Sequence, residues 1–479
     1  MTSLPIPLLQ IQGREHFPLP LVAIEQFMLW DDTTDYPKRF RVILDLHGEL
    51  KRDLLETAIK SAAVRHPLTL AYLDDVTKPP RWVIPERPEI PFRWLEGSWF
   101  DPPFPDIWNL KTESGVRVWV SQSDEQTYQV SFEVHHATID GLGLRQFVAD
   151  MIIAYDHACA GNDSEPDLKK LVPERLLERG VFVRPKPSED SRPTTMREKL
   201  SHAYSFHFRG PKALAKNKNK PTASTTVRRH IYRRVVLSPE QRVLWEHSLR
   251  PNEASTPASS QASGPEASKS LEHEGASTLN DLVVSRFLQV IADWNRTHGR
   301  AIDQQRLRIM IPTDLRSFPD GRLPAANRFG FGFVVSDVGC CSNLQLLVDN
   351  VTKQTQAIRK YSLGLDFVEI FGAFTSFASL AKRLVRIPRC MATGVLTNLG
   401  DLSRRHRRAL VDASESIRIG NTTLESVTCF PPLRPKTVVG IGICGTRDSF
   451  TVGIVLDAKH GTVQDADALL AAMVRVPVD

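Results

Sequence analysis

Between residues 127 and 134 the side chains of Tyr128, Val130, Phe132 and Val134 alternate with polar ones, the period of two expected of a half-buried strand. From about Leu142 the period lengthens, and Leu144, Phe147, Val148, Met151, Ile152 and Tyr155 fall on one face of a helix. Residues 135–141 therefore form a loop that joins a strand to a helix. Upstream, residues 40–46 read as a strand. Residues 48–64 read as an amphipathic helix with Leu50, Leu54, Leu55, Ile59 and Ala62 on one side.

The second half repeats this mixture. Ser238, Pro239 and Gln241 form a helix start with a capping box, and Thr278 followed by Asp281 forms another. The latter helix carries Val283, Phe287, Val290, Ile291 and Trp294 on its apolar face. Strands are expected at 307–311, 331–335, 394–398, 438–443 and 449–456. Strands and helices mixed in both halves predict an α/β chain of the two-layer α+β kind. No repeat with a period of 20–50 residues is present.

The pattern lapses twice. Residues 254–277 are a low-complexity run of Ser, Ala, Pro and Glu that cannot bury apolar surface, which predicts a disordered surface insertion near 251–277. Residues 161–226 are rich in Pro, Ser and charge and suggest a crossover. The expected organisation is a first half over 1–175, a linker over 176–230 and a second half over 231–479, since 479 residues exceed what one core usually supports.

Composition narrows the class. The first residues lack the basic start, apolar run and cleavage site of a secretory signal, and no window reaches the ~18–20 uninterrupted apolar residues that span a bilayer. A cytoplasmic protein without an integral membrane segment is expected. The six cysteines include no CxxC pair and no zinc-type spacing, so reduced thiols and no structural metal are expected. The net charge of +6 is patchy, with basic clusters at 212–234 and 404–408. Without interleaved aromatics or a recognisable binding module these do not indicate nucleic acid. A solvated face fits them, as does a surface for an acidic protein or CoA phosphates. No GxGxxG after a strand and no Walker A pattern is present, and no cysteine sits in a basic or histidine-rich loop.

The loop His135-His136-Ala137-Thr138-Ile139-Asp140-Gly141 is where polar groups accumulate at the end of a core strand, a favoured position for a site. A histidine near its reference pKa of about 6.5 can take a proton from a hydroxyl or amine that attacks a carbonyl. Adjacent histidines need not point the same way, so His135 and His136 are expected to have different tasks. Asp140 could orient an imidazole or pair with an arginine and hold the loop, and Gly141 would permit a tight turn. Adjacent histidines chelate poorly, so a metal site is not expected.

With these residues in view, HHATIDG resembles the HHxxxDG signature of the superfamily that includes chloramphenicol acetyltransferase, condensation domains of non-ribosomal peptide synthetases, plant BAHD acyltransferases and wax ester synthases. Further segments are similar in order: Glu25-Gln26-Phe27-Met28, Ala62 to Leu68 with Arg65-His66, Thr278-Leu279-Asn280-Asp281, Ile311 to Arg316, Asn327-Arg328-Phe329-Gly330, and Leu396-Thr397-Asn398-Leu399-Gly400. The BAHD-type DFGWG motif is absent, and so are adenylation and carrier-protein domains.

The resemblance implies two chloramphenicol-acetyltransferase-like halves forming a V around a central tunnel. It implies an acyltransferase that moves an acyl group from a CoA or phosphopantetheine-linked carrier-protein thioester to a small-molecule hydroxyl or amine, in secondary metabolism, with no tightly bound cofactor. The base role falls on His136, with His135, Asp140 and Gly141 completing the motif. The arginine partner of Asp140 is expected to be Arg65, with Arg316 as second choice. Thr397 and Asn398 are candidates for the oxyanion donors, and Asn280 for a place along the tunnel. A monomer is expected by analogy with condensation domains. The rival reading is a catalytically silent relative that binds carrier proteins or a ligand.

Overall fold

The computed structural model describes residues 3–98, 100–162, 164–184, 210–217, 229–250, 277–299, 302–401, 417–446 and 449–476. Residues 251–276, with nearly all of the expected insertion, and the basic cluster at 404–408 lie outside them, as does part of the expected linker.

Two large mixed sheets organise the chain. The first has seven strands in the order Ser3–Pro5, Glu89–Glu96, Val116–Gln122, Thr127–His135, Arg39–Gly48, Thr422–Phe430 and Arg418–Ile419. The second has six: Phe329–Asp337, Arg306–Asp314, Gly394–Asp401, Val439–Gly445, Phe450–Asp457 and His230–Leu237. Helices Arg52–Arg65 and Gly141–Cys159 pack on each other beside the first sheet, while Leu279–Thr297, Leu344–Lys360 and Val463–Val474 pack with the second. One apolar core joins the first sheet and its helices to Met310, Phe329, Phe331 and Val395 from the second half. The other core lies within the second half.

The strand and helix on either side of the histidine loop stand where the alternating pattern places them. The helix expected from Gly48 begins only at Arg52, because Gly48 closes the preceding strand at φ 123°. The predicted caps form: Ser238 Oγ accepts from the Gln241 N–H, and Thr278 Oγ1 from the Asp281 N–H.

Strands Arg418–Ile419 and Thr422–Phe430 belong to the first sheet although they follow most of the second in the chain. Strand Thr422–Phe430 pairs antiparallel with Arg39–Gly48, and its other contacts are with Val439–Gly445 and Phe450–Asp457 of the second sheet. Glycines permit this approach. A Cβ on Gly442 would strike the Cys429 carbonyl, and one on Gly453 would lie 2.8 Å from the same oxygen.

Parts of the basic stretch at 212–234 are spent inside the fold. Arg234 grips Asp45 through both terminal nitrogens (2.6 and 2.9 Å), Arg229 pairs with Asp457 (3.0 Å) and Arg233 with Asp467 (2.9 Å). Arg229 and Arg234 are thus tied inside the fold, while Arg233 and Asp467 pair at the surface.

Among the described residues, one helical stretch, Leu363–Arg386, is long and apolar enough to cross a membrane by composition. It is broken into helices Leu363–Phe374, Thr375–Phe377 and Ala378–Arg386, and it packs through Phe367 and Phe371 on Phe27.

Candidate active site

The site forms where several strand ends converge. His135 is the last residue of strand Thr127–His135 and pairs with Arg39, the first residue of its neighbour, so His136 and Lys38 leave the sheet side by side. On the other flank Phe430 pairs with Arg41, and residues 431–434 continue past the same edge. The ends of strands Arg306–Asp314 and Gly394–Asp401 face them from the second sheet. Between these ends lies a cavity of about 150 Å³ lined by residues of both halves, among them Phe27, Lys38, Phe40, His136, Asp140, Gly141, Met310, Arg316, Phe329, Thr397, Asn398 and Arg434.

The backbone of His136 is fixed from two sides. Its N–H donates to the Lys38 carbonyl (2.7 Å), and its carbonyl accepts from Asn327 Nδ2 (3.1 Å), which also reaches the Ala137 carbonyl (2.9 Å). The imidazole lies between Phe40 and Phe329, with ring centroids 4.9 and 4.8 Å away. Its Nδ1 is buried and has no hydrogen-bond partner among the described residues. Burial among these rings pushes the His136 pKa down to about 4, against the opposing pull of Asp140. The side chain is therefore neutral at pH 7, not half-titrating near 6.5.

His135, unlike His136, is not in the cavity lining. Its Nδ1 accepts from the Ala137 N–H (3.3 Å), its Nε2 lies 3.7 Å from Asp32, and its ring meets the edge of Trp108. These contacts hold the loop at His135. Thr138 N–H and Oγ1 both bond the His135 carbonyl (3.0 and 2.8 Å) and tighten the turn.

Asp140 does not bond the imidazole of His136. It caps helix Gly141–Cys159 by accepting from the Gly143 N–H (2.7 Å), and it takes both terminal nitrogens of Arg316 (3.0 and 2.8 Å) and the Arg328 N–H (2.8 Å). Burial opposes its charge, but Arg316 and the two N–H donors hold the carboxyl below its usual range. Of the two roles open from sequence, the structure selects the arginine pair. The partner is Arg316, and the first choice, Arg65, is corrected: Arg65 donates to Asp150 (2.7 Å) and to the Lys169 carbonyl (2.5 Å).

His66 shares that carboxylate, its Nε2 3.1 Å from Asp150, while its Nδ1 accepts from the Ala325 N–H (2.9 Å). Accepting at Nδ1 places the proton on Nε2, which donates to Asp150. The Arg65-His66 pair thus ties helix Arg52–Arg65 to helix Gly141–Cys159 and to the loop carrying Asn327.

Gly141 has no positive φ, and a Cβ there would lie 2.5 Å from Leu399 Cδ2, the end of a side chain that can turn away. Thr397 and Asn398 line the cavity opposite the histidine loop, and Asn398 Oδ1 accepts from the Gly400 N–H (2.8 Å). Asn280 is not in the cavity lining; it stands in the first turn of helix Leu279–Thr297, beside the Thr278 and Asp281 cap.

Phe40, Phe329 and Asn327 act on His136 directly, and of these only the segment from Asn327 to Gly330 was visible beforehand, through resemblance. A buried group of Asp31, Lys38 and Arg434 in the cavity wall left no local signal. Burial raises Cys341 and Cys390 to about 11, the opposite of a thiolate nucleophile. Among the described residues no cluster of three or more His, Cys, Asp or Glu is disposed to hold a metal ion.

No family model and no curated protein matches the chain. Solved structures do. The starter condensation domain of rhizomide synthetase, in complex with C8-CoA, is similar at 13% identity and a TM-score of 0.60, with 96% of each chain covered. Trichothecene 15-O-acetyltransferase from Fusarium sporotrichioides is similar at 12% identity and 0.64, covering 95% of this chain and 94% of that one. The first condensation domain of the calcium-dependent antibiotic synthetase, with a substrate analogue, gives 14% and 0.62 over 96% and 95%. The fold is therefore that of condensation domains, two chloramphenicol-acetyltransferase-like halves.

Proposed function

We propose that the protein is an acyltransferase that moves an acyl group from a CoA or carrier-protein thioester to a hydroxyl or amine acceptor, with His136 as general base. The observation that carries this reading is a neutral, buried imidazole in an apolar cavity between two sheets, on a loop locked by the Asp140–Arg316 pair. A neutral imidazole can accept a proton.

In the proposed reaction His136 takes the proton of the acceptor O–H or N–H as that atom attacks the thioester carbonyl. The carbonyl electrons move onto oxygen, and Thr397 and Asn398 are candidates to donate to that oxyanion. Collapse breaks the C–S bond, and the leaving thiolate takes the proton back from the imidazolium. No acyl-enzyme is needed, and holding both substrates in one cavity supplies acceleration through positioning. The condensation and acetyltransferase neighbours, one with an acyl-CoA bound, support this class of donor.

The test is release of free thiol from a panel of acyl-CoAs and acylated carrier proteins, with pooled alcohols and amines as acceptors, for wild type and His136→Ala. Acceptor-dependent release that falls by about 10²-fold or more in the variant supports the reading. Wild-type silence across both donor types would favour a ligand-binding protein without turnover.

A further inference from the structure

Beside the histidine loop, Arg434 and Lys38 share one carboxylate. Asp31 takes Arg434 Nη2 on one oxygen (2.9 Å) and Lys38 Nζ on the other (3.1 Å). Lys38 Nζ also donates to the Leu433 carbonyl (2.6 Å), and Arg434 Nη2 to the Val385 carbonyl (3.3 Å). All three side chains are buried, with Arg434 only 5% exposed, and all three line the cavity that contains His136. Arg434 Nε and Nη1 have no acceptor among the described residues.

The neighbouring carboxylate, Asp32, does not balance the second cation by contact: its Oδ1 accepts the Lys38 backbone N–H (2.7 Å) and its Oδ2 faces His135. The rest of this wall is apolar, formed by Phe27, Met28, Phe430, Pro431, Pro432 and Leu433. A buried guanidinium with unmet N–H groups in such a wall is costly unless something anionic completes it. Those two nitrogens have almost no accessible surface as they stand, so a ligand in the cavity supplies that acceptor by turning the guanidinium towards it.

We propose that Arg434 is a specificity residue that binds a carboxylate carried by one of the protein's substrates, with Asp31 and Lys38 holding the guanidinium in place. The term substrate rests on the acyl-transfer reading above; the binding does not. The preferred ligand is an apolar skeleton bearing one carboxylate, either a hydroxy or amino acid as acceptor or the acyl group of a dicarboxylic half-thioester.

The experiment measures equilibrium binding, without turnover, of matched pairs to wild type, Arg434→Gln and Arg434→Lys. One arm uses hexanoate, benzoate and salicylate against their methyl esters; the other uses glutaryl-CoA against pentanoyl-CoA. In at least one arm the wild type should bind the carboxylate about tenfold or more tightly than its neutral twin, as a charge-assisted hydrogen bond in a dry site implies. Arg434→Gln should erase that preference, and Arg434→Lys, which keeps the charge and the Asp31 pair, should keep part of it. A response in the free-acid arm assigns the carboxylate to the acceptor, and one in the CoA arm to the acyl group. Equal binding of both twins in every pair, or a preference that Arg434→Gln leaves intact, overturns the proposal. Because no turnover is read, failure of acyl transfer in the thiol assay is a separate result.

Discussion

Replacing Asp140 by Ala tests whether the motif aspartate acts by holding the loop. The side chain accepts four hydrogen bonds in a fully buried position, two of them from Arg316. Its removal leaves the Arg316 guanidinium with Asp314 at 3.1 Å as its remaining carboxylate, and removes the cap of helix Gly141–Cys159. Breaking a buried ion pair costs about 3–5 kcal/mol and losing an N-cap about 1 kcal/mol, and the two overlap because Asp140 does both. A loss of ~4 kcal/mol is expected, read from urea unfolding at pH 7.5. The pairing is isolated by a double-mutant cycle with Arg316→Ala. The double variant should be ~2 kcal/mol or more less damaged than the sum of the singles, since it no longer buries an uncompensated charge. A loss below ~1 kcal/mol for Asp140→Ala, or strict additivity with Arg316→Ala, would refute this account of the loop.

Activity, measured as thiol release with buffer controls, should stay flat from pH 8 down to about 5 and fall around the His136 pKa of about 4; an inflection near 6.5 would contradict the burial of the imidazole. Stability should follow the same sign. Burial holds His136 and His230 at about 4 against 6.5 when unfolded, so their contribution is full above 6.5 and is lost as pH falls towards 4, lowering the urea midpoint at pH 5 relative to pH 7.5. Gly442→Ala should cost about 1–3 kcal/mol, because the new methyl meets the Cys429 carbonyl and forces the two sheets apart; wild-type stability would show that the backbone yields there. Arg65→Ala should lower stability by ~1–2 kcal/mol while leaving the pH profile of activity unmoved, as Asp150 keeps His66; a shifted profile would place Arg65 nearer the chemistry than its contacts do.

Much of the site's frame was legible along the chain because it is local. A period of two that gives way to a helical period identified the strand, the loop and the helix around His136, and the caps at Ser238 and Thr278 rest on side chains three residues apart. Resemblance added the order of segments and the base role proposed for His136. Around Asn280 the same segment serves both a helix cap and a motif, and local sequence alone does not separate the two.

What the tertiary structure alone decided are pairings between distant positions. Asp140 meets Arg316 across 176 residues and not Arg65, and Arg434 meets Asp31 across 403. No periodicity encodes such partners, because each is set by which strand ends the sheet brings together. The passage of strand Thr422–Phe430 into the first sheet carries Arg434 to the cavity, and the same assembly encloses His136 between Phe40 and Phe329. The sequence by itself determined which residues could do chemistry. Their protonation and their counter-charges depend on burial and neighbours, which exist only once the two sheets have closed on one another.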